Sequence, residues 1–190
     1  MKTYCVKKYS LLLPCLMMAV AQLAIVAAYA DDSTDNRGQF SASDYKFAKE
    51  AARGGKFEVT LGNVAASNSR NASVQQFGQQ MVKDHGRAGQ KLQQIATSKN
   101  ATLPDELSAK QQREVDRLSK LTGPEFDKAY VACMIKAHKA DEKAFKKASE
   151  EADDPDLRNF AATTLTMVRD HLRMAQDLES SVKNEVSVNY

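Results

Sequence analysis

The sequence has 190 residues, with 27 Lys and Arg against 24 Asp and Glu, and 43% of its residues are hydrophobic. This length and composition are typical of one globular domain with an ordinary hydrophobic core. The positive excess lies in residues 1–30, which contain Lys2, Lys7 and Lys8 and no acidic residue. The remaining chain is neutral in formal charge, so its charge gives no reason to expect a nucleic-acid partner.

Residues 1–30 have the layout of a secretory signal peptide. A lysine-containing start precedes an apolar stretch over residues 11–28, and Ala28-Tyr29-Ala30 then provides an A-x-A cleavage site. A transmembrane anchor is the alternative, because the apolar run approaches the ~18–20 residues that cross a bilayer. The cleavage site and the polar residues after it favour removal. We therefore predict a periplasmic or secreted protein without an integral membrane segment after cleavage.

Cysteine usage excludes an internal disulfide in the predicted mature chain. Cys5 and Cys15 lie in the signal peptide, which leaves Cys133 alone. We interpret Cys133 as a small core residue, with a reactive or dimer-linking thiol as the alternative.

Apolar and small residues recur every three to four positions over most of the remaining chain, which is the spacing of one buried helix face. Residues 31–42 are polar and indicate a flexible leader. We predict a helical domain over residues 43–182 and a frayed tail over 183–190. The predicted helices run from Ser43, as N-cap, to about Ser67, from Ala72 to Ser98, from Asp105 to Leu121, from Pro124 to Glu151, and from Asp156 to Val182.

Gly54 and Gly55 lie inside the first predicted helix, although each glycine costs about 1 kcal/mol in a helix interior. Either a bend or unusually close packing of another helix is expected there.

Four long helices in two pairs predict an all-α fold of two antiparallel hairpins. The segment between the hairpins, with its own short helix, is long enough to cross the length of a bundle. This favours a ferritin-like four-helix bundle over a simple up-down-up-down arrangement.

A repeat supports this arrangement. The segment MVKDHGRAGQKL at 81–92 returns as MVRDHLRMAQDL at 167–178, with His85 and His171 in the same place of each copy. We interpret the copies as the second helix of each hairpin, related by a pseudo-twofold axis.

Each predicted helix face carries one residue that can bind a metal: Glu58, His85, His138 and His171. Counted from the turns, the members of each hairpin pair differ in depth by five residues, or roughly 7 Å, which long side chains can close. One carboxylate and three imidazoles suit a divalent transition metal such as Zn, Fe, Cu or Mn. The alternative is a set of hydrogen-bonded core groups that fix helix register without an ion.

Asp84 and Asp170 each precede a histidine directly and so lie about 100° round the helix. They are better placed as exposed groups, or as partners of the histidines, than as ligands of the same ion. The motifs of phosphate-binding loops, serine hydrolases, zinc proteases and Cys-x-x-Cys sites are missing from the sequence. We therefore do not favour the hypothesis that the protein is an enzyme, and catalysis would require a metal or cofactor.

The sequence resembles the DUF4142 family over about Phe40 to Leu178. The resemblance rests on FEVTLGNVA at 57–65, VQQFGQQMVKDH at 74–85, LP at 103–104, LTGPEFDKAYV at 121–131, the His138 region and NFAATTLTMVRDHLRMA at 159–175. It implies an exported bacterial protein with a ferritin-like fold and no established biochemical role.

The sequence argues against two properties that the resemblance could imply, a di-iron site and an outer-membrane barrel. A ferritin-like di-iron site would place Glu three residues before His on two helices, and Val82 and Val168 occupy those positions. Family members are often labelled outer membrane proteins, but this sequence lacks the alternating strands of a barrel.

Two functional hypotheses follow. The first is a non-enzymatic binding or stress-associated envelope protein that acts through its helix faces, through an envelope partner or as a homodimer. The second is a metal-binding protein or metalloenzyme that uses Glu58, His85, His138 and His171.

Overall fold

The computed structural model of the chain describes residues 39–188, with side chains for 39–183, and these residues lie in the compact unit Asp35–Tyr190. The predicted signal peptide and most of the predicted leader lie outside the described residues. Five helices and no strand are present between residues 39 and 188. The all-α prediction is therefore confirmed. The helices are α1 (Ala42–Asn68), α2 (Ala72–Ser98), α3 (Ala109–Leu118), α4 (Gly123–Glu151) and α5 (Pro155–Val188).

Local hydrogen bonds explain where the observed helix ends differ from the prediction. Ser41, and not Ser43, is the N-cap of α1, because its hydroxyl accepts from the backbone N–H of Asp44 at 3.2 Å. α3 begins after Ser108, which forms a capping box with Gln111, so residues 105–108 are not helical.

The last helix is longer than predicted. α5 continues to Val188, although the sequence pattern indicated an end near Val182 and a frayed tail from residue 183. No glycine or proline follows Val182, and Lys183 forms an i,i+4 ion pair with Glu179 at 3.0 Å. Such pairs favour continued helix by a few tenths of a kcal/mol.

The long helices pack so that each is antiparallel to both of its neighbours. Gly62 approaches Gly78 between α1 and α2, and Phe145 packs against Phe160 between α4 and α5 with ring centroids 6.0 Å apart. Phe47 of α1 packs against Phe145 of α4 at 5.2 Å. The α2–α5 pairing completes the ring of four. This order agrees with the ferritin-like arrangement, in which the two hairpins are joined across the length of the bundle.

The segment that joins the hairpins runs along α1. The Tyr45 hydroxyl, near the start of α1, donates to Thr102 O at 2.9 Å. The Gln111 side chain donates to Arg53 O at 3.2 Å, in the middle of α1. At the end of α1, the Asn68 side-chain amide donates to Ser119 O at 3.0 Å. These contacts fix the crossover along the whole of one helix.

The interior has two apolar clusters. One, the Phe126 cluster, contains Phe57, Leu61, Ala65, Val74, Phe77, Met81, Val115, Leu118, Phe126, Tyr130, Val131, Met134, Ala175 and Val182. The other, the Phe160 cluster, contains Ala48, Leu92, Ile95, Ala96, Leu103, Phe145, Ala148, Leu157, Phe160, Ala161, Leu165 and Val168. Along α2, α4 and α5, the predicted histidines fall between these clusters, and on α1 Glu58 directly follows Phe57, the first residue of the Phe126 cluster in that helix.

α1 and α2 approach each other most closely at Gly62 and Gly78. A Cβ on Gly62 would lie 2.5 Å from Gly78 O, and a Cβ on Gly78 would lie 2.7 Å from Ala65 Cβ. At Gly54 and Gly55, by contrast, an added Cβ would meet its nearest neighbours at 3.6 Å and 3.9 Å, which is ordinary contact. The close packing expected at Gly54 and Gly55 therefore occurs two turns later in α1.

Candidate metal centre

Four buried polar side chains, one from each long helix, meet between the two apolar clusters. Glu58, His85, His138 and His171 have exposed fractions of 1%, 6%, 0% and 2%. We call them the histidine cluster. The difference in depth that the sequence indicated does not keep these side chains apart. Glu58 Oε1 lies 3.3 Å from His138 Nδ1 of the other hairpin. All four predicted residues are thus brought together.

A chain of hydrogen bonds connects α1, α2 and α5. Glu58 Oε2 lies 2.9 Å from His85 Nδ1, and His85 Nε2 lies 3.2 Å from His171 Nδ1. His171 Nε2 lies 3.0 Å from Asp84 Oδ2. The order is therefore carboxylate, imidazole, imidazole, carboxylate.

His138 carries a nitrogen that has no partner. Its Nδ1 lies 2.9 Å from the carbonyl oxygen of Met134, one turn earlier in α4. Because a carbonyl oxygen only accepts, Nδ1 carries the proton and Nε2 carries the lone pair. Nε2 is buried without a hydrogen-bond partner among the described residues. Such a nitrogen is costly unless something binds it.

The three histidines are nearly close enough together to bind one metal ion. One ring nitrogen from each of His85, His138 and His171 lies within 4.8 Å of the others. Two nitrogens that bind one tetrahedral ion at about 2.0–2.1 Å lie about 3.3 Å apart. The His85–His171 separation of 3.2 Å already matches this value.

Burial keeps the imidazoles neutral. It lowers the pKa of His85 to about 4, against the opposing charges of Asp141 and Asp84. Burial also lowers the pKa values of His138 and His171. Neutral imidazole is the form that binds metals.

Two carboxyls lie together on the α1–α4 side of the cluster. Burial raises the pKa of Glu58, and burial together with the charge of Glu58 raises the pKa of Asp141 well above its usual range. One proton shared between them therefore lowers the charge of the site. A small cavity of about 20 Å³ adjoins Glu58, His85 and Asp141, which is room for one water molecule.

The sequence missed two parts of this arrangement, and for a third, Asp84, it indicated a histidine partner but not which one. Asp141 lies one turn after His138 on the same face of α4, and that spacing was the available signal. The Met134 carbonyl has no signal in the side-chain pattern. Asp84 contacts His171 of the other hairpin, and not its own neighbour His85. Asp170, the matching residue of the repeat, is exposed and forms an ion pair with Arg173 at 2.9 Å.

A groove between α2 and α5 reaches the cluster from outside. It encloses about 1270 Å³, and both Asp84 and His171 line it. Glu58, His85 and His138 are not among the lining residues of this groove.

Comparisons with known proteins support the family and the fold. The sequence model of the family described as "Domain of unknown function (DUF4142)" matches residues 30–178. A crystal structure of a DUF305 fragment from Deinococcus radiodurans is similar in fold, with a TM-score of 0.67 and 12% identity, over 75% of this chain and 99% of that one. Comparison with curated proteins gives no match. Within residues 39–188, no helix is long and apolar enough to cross a membrane.

Proposed function

The chain belongs to the DUF4142 family, and from its buried histidines we propose that it binds one divalent transition metal ion inside the helical bundle. The ligands are His85, His138 and His171. Glu58 and Asp84 orient two of the imidazoles by accepting hydrogen bonds from the ring nitrogens that do not bind the ion, His85 Nδ1 and His171 Nε2.

The chain of hydrogen bonds from Glu58 to Asp84 carries this proposal. If both carboxylates are ionised, each accepts from the ring nitrogen beside it, so His85 Nδ1 and His171 Nε2 carry protons. The remaining nitrogens then face each other at 3.2 Å, each with a lone pair. Two facing lone pairs repel unless a further proton or a cation lies between them.

The unpartnered nitrogen of His138 favours the cation. An extra proton satisfies His85 and His171 but leaves His138 Nε2 without a partner. A metal ion bound by all three nitrogens satisfies the three together. Histidine ligands whose outer N–H groups bond to carboxylates or backbone carbonyls are the usual arrangement around protein metals, and the Met134 carbonyl has that role for His138.

The donor set restricts the metal. Neutral imidazoles in a low-dielectric site suit Zn²⁺, Cu²⁺, Ni²⁺ or Fe²⁺, whereas Mg²⁺ and Ca²⁺ require oxygen ligands. Val82 and Val168 remove the carboxylates of a di-iron site, so we propose a single ion. The signal-peptide pattern of residues 1–30 supports a protein that carries this ion in the cell envelope. The missing enzyme motifs favour a role without catalysis of its own.

The test is the metal content of protein expressed from the full sequence, after incubation with Zn²⁺, Cu²⁺, Co²⁺ or Fe²⁺ and removal of unbound ion. We expect about one equivalent of the preferred ion in the wild type and less than about 0.1 in the His85→Gln, His171→Gln double variant. Asp170→Asn is the matched control, because Asp170 has the same place in the repeat as Asp84 but is exposed.

The same variants test the hydrogen-bonded core as the alternative. If the cluster only fixes helix register, the wild type binds less than about 0.1 equivalents of every ion, and the double variant loses stability of a few kcal/mol with no metal involved.

A further inference from the structure

The apolar clusters limit how an ion reaches the histidines. Along the bundle, the Phe126 cluster and the Phe160 cluster lie on either side of the polar layer. Leu61, Met81 and Tyr130 on one side, and Leu92 and Val168 on the other, are at most 1% exposed. A hydrated cation cannot pass through such packing without a large desolvation cost. Its path must therefore lie between helices.

The groove between α2 and α5 provides that path. It follows Gln80 to Ile95 on α2, roughly 22 Å at 1.5 Å per residue. Of the three histidines, His171 alone is among its lining residues. The Asp84 side chain is 19% exposed and the His171 side chain 3%, so Asp84 lies between the imidazole and the solvent in the groove.

We propose that metal ions enter and leave the histidine cluster through this groove, that Asp84 receives the ion first, and that His171 is the ligand that moves. This inference rests on the proposed function and adds the route to it. His171 Nε2 points to Asp84 and Nδ1 points to His85, at 3.0 Å and 3.2 Å. A swing of the ring away from Asp84 therefore opens a path past it to the inner nitrogens, while the proton stays on Nε2 and Nδ1 stays free to bind the ion.

The charges along the groove set the direction of approach. Arg87 and Lys91 lie one and two turns from Asp84, toward the Ile95 end of the groove, where Asp156 is the one acidic lining residue. At the other end the lining residues include Gln80 and Met174, and Arg173 is neutralised by Asp170. A cation therefore reaches Asp84 from the Met174 end, since basic lining residues outnumber acidic ones toward the other end.

The route predicts that an obstruction in the groove changes the rates of metal uptake and release but not the affinity. Met174 lines the groove three residues after His171 and is 37% exposed. A bulky side chain there narrows the path, whereas His171 Nδ1, which binds the ion, lies on the inner side of the ring, toward His85. An obstruction on the path slows uptake and release by the same factor, and the dissociation constant stays constant.

The experiment measures Co²⁺ uptake by stopped-flow visible absorption and Co²⁺ release to excess chelator, for the full chain and the Met174→Trp variant. We expect both rate constants to fall about tenfold, as for a modest rise in the barrier, at unchanged affinity. Gln176→Trp is the matched control, because Gln176 is exposed on α5 and does not line the groove. Asp84→Asn should slow uptake and weaken its dependence on ionic strength.

Each outcome separates the route from the function. One equivalent of Co²⁺ taken up by Met174→Trp at the wild-type rate overturns the route and leaves the metal site intact. Equal slowing in Gln176→Trp also overturns the route. Failure of the wild type to bind any ion at equilibrium overturns the proposed function, and the route with it.

Discussion

α2 meets its two neighbours in different ways. Toward α1, Gly62 and Gly78 bring the backbones into contact, and His85 bonds to the fully buried Glu58. Toward α5, a groove separates the helices, and His171 bonds to the partly exposed Asp84. The repeat placed equivalent histidines on α2 and α5, yet their surroundings differ. One side of the cluster is closely packed, and the other borders a groove.

The largest effect that we expect is on the α1 side of the cluster, where His85 should make the stability of the fold sensitive to acid. The pKa of His85 is lowered from 6.5 to about 4, so between these values the unfolded chain binds a proton that the folded chain does not. The free energy of unfolding therefore falls as the pH drops through this window. At 1.36 kcal/mol per pKa unit, the His85 contribution lost is about 3 kcal/mol.

The measurement is urea unfolding of metal-free protein at pH 7 and pH 4. The stability advantage of the wild type over His85→Gln should shrink by the amount above, because Glu58, Asp141 and the other histidines titrate in both chains. His171→Gln should show the smaller effect, since a direct hydrogen bond to Asp84, as well as its charge, opposes the lowering of the His171 pKa. If the two variants lost the same amount of stability between pH 7 and pH 4, the α1 and α5 sides of the cluster would not differ in the way proposed.

The second prediction breaks the close contact of α1 with α2. A Cβ on Gly62 would lie 2.5 Å from Gly78 O and 2.9 Å from Val82 Cγ2. Backbone must therefore shift, and we expect Gly62→Ala to destabilise the protein by about 2 kcal/mol. Thermal or urea unfolding measures this loss.

Gly54→Ala is the matched control in the same helix. An added Cβ there lies 3.6 Å from Asp141 Oδ1, so no shift is required and helix propensity favours alanine. If Gly62→Ala were as stable as Gly54→Ala, the close approach of the helices would not contribute to stability.

The third prediction concerns the groove side. Asp84 accepts from both Gln80 and His171, so it holds the imidazole in the orientation that directs Nδ1 inward. Asp84→Asn retains the shape but weakens this hydrogen bond, and we expect about tenfold weaker metal binding. Competition with a chelator of known affinity measures the change. Unaltered affinity would mean that Asp84 does not position His171.

The sequence determined much of this arrangement, because helix periodicity and side-chain chemistry are local properties. The 3.6-residue pattern gave α2 its observed bounds, and each of Glu58, His85, His138 and His171 stood on an apolar face. The cross-hairpin contact of Asp84 with His171 depends on the rotation of α2 against α5, which no local pattern encodes. The unpartnered Nε2 of His138 likewise depends on which nitrogen meets the Met134 carbonyl.

The smallest expected effect is at Gly86, one of two glycines of α2, with Gly89, whose added Cβ would meet no neighbouring helix. Apart from its chain neighbours and the backbone of its own helix, no atom lies within 4 Å of a Cβ placed on Gly86, although Gly86 directly follows His85. Gly86→Ala should therefore stabilise the protein by about 0.5–1 kcal/mol, through helix propensity alone. The gain should be the same with and without bound metal, as measured by urea unfolding. A gain that disappeared on metal binding would show that the backbone at Gly86 adjusts when the histidines close, and the α1 side of the cluster would then be less rigid than its packing indicates.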